Sequence, residues 1–274
     1  MKTVKRAFLF IFLMGTLSRV MAQTKGTQEL TVPLSEPGKP VTLIAHLVDG
    51  SIKVIGYDGK DVIVLVHIDS TKDEDNGESE GLKRINTNGG VDVRVDENDN
   101  VVHINVGMPQ RRLQGLTIKV PKNTSRVDVG TVNGGDISVT DVSGKVEISN
   151  VNGAITATGI SGSVVANTVN GDVVVKFKSV DEKAAMAFAS LNGKIDVSLP
   201  ADAKANLKLK SDNGQMYSDF DIAIDKTEPK VETNNEGHYH QIKIEDWITG
   251  KINGGGSEIM MKSTFGAVYI RKAK

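Results

Sequence analysis

A two-residue turn signal recurs down the middle of this chain at a spacing too regular for composition to explain. Asn133-Gly134, Ser143-Gly144, Asn152-Gly153, Ser161-Gly162 and Asn170-Gly171 follow one another in steps of 10, 9, 9 and 9 residues. Asn192-Gly193 and Asn213-Gly214 continue the series in steps of 22 and 21, which fits two units each with a few residues inserted. Two and four residues past these glycines stand Val146 and Ile148, Ile155 and Ala157, Val164 and Ala166, Val173 and Val175, and Ile195 and Val197. In the first unit an extra Gly135 sets the count, giving Ile137 and Val139. Alternation with a period of two, β-branched residues at the apolar positions and a glycine turn between runs specify short strands and exclude helix.

Asn-Gly also signals a hairpin, so an antiparallel meander is the rival arrangement. The turns, however, alternate Asn-Gly with Ser-Gly, so the true period is 18 to 19 residues and two strands. A meander gives no cause for that alternation, whereas a coiled chain stacks every second turn on its own kind. The expected fold is therefore all-β, a parallel β-helix-like solenoid whose successive coils lie about 4.8 Å apart. Asn133, Asn152, Asn170 and Asn192 would form a hydrogen-bonded ladder along one corner, with Gly134, Gly153, Gly171 and Gly193 as the turn residues. Gly153 and Gly171 are expected at positive φ, which glycine adopts freely. A ligand-binding row is the competing role for this ladder, and corner hydrogen bonding is preferred. The residues two before each glycine, Val132, Val142, Val151, Ile160, Val169 and Leu191, are assigned to the interior, with Val132, Val151 and Val169 in one buried column.

Before the repeat, residues 29–110 read as a less regular β region: Leu30 to Leu34, Val41 to Leu47, Ser51 to Ile55, Val62 to Ile68, Val91 to Val95 and Val101 to Val106. Charged residues dominate Ser70 to Gly90, a surface loop by composition. Residues 111–274 hold the regular repeats and a C-terminal cap, because the columns break after Gly214 and return around Ile252 to Ile270. Residues 23–274 are read as one elongated domain stabilised by stacking of neighbouring coils.

Met1 to Ala22 has the parts of a secretory signal: Lys2, Lys5 and Arg6, an apolar run from Ala7 to Leu17, and Val20-Met21-Ala22 before Gln23. The apolar run is shorter than the ~20 residues that span a bilayer. Cleavage would remove four positive charges and no negative ones, taking the formal charge from −1 to −5. A mildly acidic surface argues against nucleic acid and anionic lipid as partners. The expected location is the periplasm or the cell surface, with no membrane span after cleavage. With no cysteine in 274 residues there is no disulfide, no thiolate site and no acylated lipoprotein anchor.

Chemistry is sparse. The outward repeat positions, among them Ser138, Thr140, Lys145, Glu147, Thr156, Asp172 and Lys194, are mixed in sign and show no convergent catalytic set. His238 and His240, at i and i+2 on one strand face, are weak candidates for a metal with Glu236 or Asp246. No cofactor is expected. Trp247 and Tyr239 suggest a capping role or a surface patch.

Three segments carry a family likeness. Gly130-Thr131-Val132-Asn133-Gly134-Gly135-Asp136-Ile137-Ser138-Val139, Val151-Asn152-Gly153-Ala154-Ile155 and Phe265-Gly266-Ala267-Val268-Tyr269-Ile270 resemble the bacterial adhesin-like proteins of the DUF4097 family. The resemblance implies a right-handed β-helix-like fold on an exported protein, and it brings no catalytic or binding residue with it. The leading functional expectation is a non-enzymatic exported adhesin or binding scaffold for an unknown protein or glycan ligand of the cell envelope. A periplasmic structural or sensory accessory protein is the alternative, and a polysaccharide-acting enzyme the third.

Overall fold

The computed structural model describes residues 26–69, 90–108, 113–225 and 247–273, together with the backbone of strands Glu78–Ser79, Leu82–Lys83, Lys230–Glu236 and Tyr239–Glu245. The proposed signal Met1 to Ala22 and most of the Ser70 to Gly90 loop lie outside these residues. Every element among them is a strand. The repeat pairs in parallel, each strand with the second one after it, as alternating turn types require. Thr124–Thr131 pairs with Ser143–Asn150, that strand with the second half of Ile155–Asn170, and the latter with Met186–Asn192. The other face runs through Ile137–Thr140, the first half of Ile155–Asn170, Val173–Val180 and Ile195–Leu199. Ile155–Asn170 is long enough to belong to both, so the two faces are one solenoid-like sheet folded around one core. Ile137, Val146, Ile155, Val164, Val173 and Ile195 are all fully buried in it.

The order of coils in space differs from their order in the chain at both ends. The coil of Val41–His46 and Ser51–Tyr57 sits between the coil of Val101–Val106 and Leu113–Pro121 and that of Thr124–Thr131 and Ile137–Thr140. The N-terminal part is thus in register with the repeat, and Asp49-Gly50 occupies an Asn-Gly corner, Asp49 bridging to Asn133. The pattern is hidden in the sequence because the neighbouring coils are separated from this one by the excursion through Val62–Ile68 and Val93–Asn98. At the far end Ser257–Ser263 and Val268–Lys272 wedge between Met186–Asn192 with Ile195–Leu199 and Ala205–Ser211 with Met216–Ser218. The columns fail after Gly214 because Ala205–Ser218 is the last coil of the stack. Antiparallel strands cover the ends: Thr27–Val32 on Val62–Ile68 on Leu113–Pro121, Val93–Asn98 on Val101–Val106, and Ile248–Ile252 on Ala205–Ser211. Such strands shield the stack ends from further pairing.

Two expectations about the corner are overturned. Val132, Val169 and Leu191 are 41%, 37% and 43% exposed and Val151 is half-buried, so this column lies outside the core. Val142 and Ile160, at the same offset from a glycine, are buried. Just before those two the backbone turns left-handed, at Asp141 (φ 53°) and Gly159 (φ 69°), and the pairing slips around Ile160. That slip inverts the alternation and brings the next apolar residue inward. At the Asn-Gly corners the alternation runs on unbroken, so Thr168 points in and Val169 out. Gly153, in turn, does not adopt positive φ, whereas Gly171 does, at 158°. Glycine is needed there for close approach: a Cβ on Gly153 would lie 2.2 Å from the Gly135 carbonyl oxygen, and one on Gly171 2.2 Å from that of Gly153. Gly134 stands outside this column at φ 67° with open space around it, and Gly135 takes the stacking position.

Candidate functional site

The Asn corner is a structural seam whose side-chain ladder runs from Asn152 to Asn192. Asn170 Nδ2 donates to Asn152 Oδ1 at 2.8 Å and Asn192 Nδ2 to Asn170 Oδ1 at 2.7 Å, while Asn152 Nδ2 donates to the Val132 carbonyl at 3.2 Å. In the wedged C-terminal coil Phe265 replaces Asn in this row and is 61% exposed. Two residues before the Asn positions lies a second polar row that the sequence reading missed. Thr131 Oγ1, Asn150 Nδ2, Thr168 Oγ1, Ser190 Oγ, Ser263 Oγ and Ser211 Oγ each donate to a corner glycine carbonyl of the adjacent coil, at 2.8 to 3.0 Å. Buried carbonyls need such donors. The signal was present, since Thr, Asn or Ser stands two residues before Asn at the Asn133, Asn152, Asn170, Asn192 and Asn213 corners.

Of the two weak metal candidates, His238 lies outside the described residues, and His240 belongs to Tyr239–Glu245, of which the backbone is described. Among the described residues no group of three His, Asp or Glu side chains is placed to hold a metal ion. Trp247 lies against Lys208 and Lys210, whose ammonium groups are 4.7 and 5.8 Å from its ring centre.

The outward surfaces carry two organised features. On the first face Lys145, Glu147, Arg126 and Asp128 alternate in charge across two coils, with Arg126 bridging Glu147 and Asp128, and His46 of the next coil has Nε2 3.2 Å from Asp128 Oδ1. Hydrogen bonding from Lys145, aided by Arg126, holds the Glu147 carboxyl below its ordinary range against the opposing effect of burial. On the second face, at the C-terminal end, there is an open groove of about 840 Å³ lined by Lys176, Lys178, Lys194, Asp196, Ser198 and Arg271, among others. Beside it Tyr217 and Tyr269 face each other on paired strands, ring centres 5.1 Å apart and planes within 13°. The Arg271 guanidinium lies 4.9 Å from the Tyr269 ring centre, and its Nε donates to Asp196 Oδ1 at 2.8 Å. That bond raises the Arg271 pKa and fixes the side chain's direction. Tyr217 and Tyr269 are remote in sequence, and the wedging of the C-terminal coil is what stacks them.

Solved structures similar to this chain include three bacterial proteins. A candidate cell adhesion protein from Clostridium sporogenes has 12% identity and a TM-score of 0.46, over 90% of this chain and 100% of that one. A candidate adhesin from Bacteroides fragilis has 10% identity and a TM-score of 0.38 over 91% and 98%. A candidate lipid binding protein from Parabacteroides distasonis has 12% identity and a TM-score of 0.32 over 91% and 97%. No curated protein matches the chain. The family model described as Toastrack DUF4097 matches residues 11–246, from before the first coil to the C-terminal excursion, and the chain therefore belongs to that family.

Proposed function

We propose that this protein is a non-enzymatic exported binding scaffold, an adhesin-type protein of the cell envelope, with its coils right-handed as strand twist favours for parallel connections. The observation that carries this reading is the Tyr217–Tyr269 stack beside the charged groove. Solvent-facing aromatic rings held on a rigid sheet contribute large contact area at little entropic cost to a partner surface. The stack beneath holds them still, since each coil is pinned to its neighbours through backbone pairing, glycine contact and the inner polar row. Whole cells and a glycan array incubated with the labelled chain test the reading. Binding should be saturable and should weaken when Tyr217 and Tyr269 are both replaced by Ala. A chain that binds neither cells nor glycans at micromolar concentration would end this reading.

A second reading, an accessory protein in contact with another envelope protein, is favoured by a different observation. Val48, Val132, Val169 and Leu191 form an exposed apolar line beside the Asn row, and Phe265 adds an exposed ring in that row. Photo-crosslinkers at Val132 and Leu191 should capture one partner if this reading holds, and should capture none if the Tyr groove is the sole contact surface.

A further inference from the structure

The floor of the groove contains three side chains in strand register. Lys176 pairs with Ser198 and Ser198 with Arg271 across Val173–Val180, Ile195–Leu199 and Val268–Lys272. Neighbouring strands lie about 4.8 Å apart, so a hydroxyl sits between two cations within reach of one small anionic group. Ser198 is 8% exposed and recessed beneath the two longer side chains. The ion pair of Arg271 with Asp196 runs through Nε, and Arg271 lines the groove with the guanidinium fork that suits carboxylate and sulfate oxygens. Lys272 adds a further cation at the rim, its ammonium 5.3 Å from the Phe220 ring centre.

We infer that Lys176, Ser198 and Arg271 form an anion subsite for an acidic polysaccharide, receiving the carboxylate or sulfate of one sugar while the neighbouring sugar packs against Tyr269 and Tyr217. This deepens the binding-scaffold reading and rests on it. The charge pattern selects the ligand class. Asp141, Asp172 and Asp219 stand around the cations, Asp141 3.2 Å from Lys178 and Asp172 3.5 Å from Lys194, and they interrupt the positive field. A nucleic acid needs a continuous cationic track for its phosphates. A sugar chain with anionic groups set apart along it needs only a local pocket. A pyranose advances its chain by about one strand spacing, so successive sugars can follow the rows from Lys176 toward the tyrosines.

The test uses the purified chain with immobilised alginate, dextran sulfate and uncharged dextran, read by equilibrium binding at fixed salt. Binding to at least one acidic polymer and not to dextran is expected, and the preferred polymer separates carboxylate from sulfate recognition. Lys176→Gln with Arg271→Gln should weaken it by about tenfold or more, because charge-assisted contacts are lost, with the melting temperature preserved. Lys176→Gln with Ser198→Ala should weaken it while Asp196 keeps its partner. Lys39→Gln with Lys60→Gln, at the opposite end, should leave it unchanged. The inference is overturned by parental affinity in the groove variants, by an equal loss in the distant pair, by equal binding of dextran, or by tighter binding of single-stranded DNA. Binding of whole cells without binding of either acidic polymer would remove this subsite and leave the scaffold reading standing, whereas loss of both would remove both.

Discussion

Two rows of residues run side by side along the Asn corner with fates opposite to their polarity. The inner row, Thr131, Asn150, Thr168, Ser190 and Ser263, is small, polar and at most 6% exposed; the outer row, Val132, Val169 and Leu191, is apolar and more than a third exposed. Hydrophobicity alone would exchange them. The inner row stays polar because glycine carbonyls from the adjacent coil point at it, and a buried acceptor without a donor is more costly than a buried hydroxyl that has one. In the outer row Val132 and Val169 are β-branched residues that suit an extended strand end. Burial at a corner is therefore decided by backbone hydrogen-bonding demand, while along the strands it follows the familiar alternation.

The comparison can be broken most severely through the glycines that bring the two coils together. Gly153→Val places a branched side chain into the Gly135 carbonyl, a clash with backbone that no rotamer relieves. Its expected cost is more than about 3 kcal/mol in urea unfolding, among the largest single-site effects. Thr168→Val comes next: it keeps volume but leaves the Gly153 carbonyl without its donor, so a loss of about 1–3 kcal/mol is expected. An unchanged urea midpoint would show that the inner row is decorative.

A stabilising change sharpens the same point. Asn150 Nδ2 bonds the Gly135 carbonyl, but its Oδ1 is buried without a partner. Asn150→Thr supplies one donor of the kind used at the Thr131 and Thr168 levels and removes the orphaned acceptor, so a gain of about 1 kcal/mol is expected by calorimetry. In the outer row Val169→Asp should shift stability by only about 0.5 kcal/mol, because its charge remains in water. A larger loss from Val169→Asp than from Thr168→Val would reverse the assignment of the two rows.

An effect of the same small size concerns the charged row on the first face. Lys145 and Arg126 hold Glu147 with a lowered pKa, so its ionised form is favoured in the folded state. That contribution is present above the ordinary carboxylate value of about 4.3 and is lost as pH falls through the lower folded value. Glu147→Gln should therefore lower stability by about 0.5 kcal/mol at pH 7, a figure limited by solvent screening. The difference from the parent should vanish in strong acid. A difference that persisted there would mean packing, not charge, distinguishes the variant.

Much of the strand pattern was legible in the residues themselves. A turn glycine every nine residues, with β-branched residues at fixed offsets, leaves one local conformation open, and the alternation of Asn with Ser selected parallel coils over a meander. The Asn row could be read from spacing because its hydrogen bonds join equivalent positions in successive coils. The phase of Val132, Val151 and Val169 could not be read by counting back from glycine, since Val142 and Ile160 share that offset. Left-handed turns at Asp141 and Gly159 separate the two cases, and only the path of the backbone reveals them.

What the sequence by itself determined is whatever repeats locally: strands, turns, the buried positions past each glycine and the kinship of the coils. The tertiary structure decided which coils touch at the ends of the stack. Nothing in the local pattern places Val41–Tyr57 beside Thr124–Thr140, or wedges Ser257–Lys272 ahead of Ala205–Ser218. Parallel edges of equivalent coils expose the same alternation of donors and acceptors, so short-range chemistry accepts either order. The choice falls to long-range closure, in which antiparallel excursions must cover the stack ends. That closure is also what stacks Tyr217 on Tyr269 and sets Arg271 over the groove, so the candidate site exists only once the whole stack has formed.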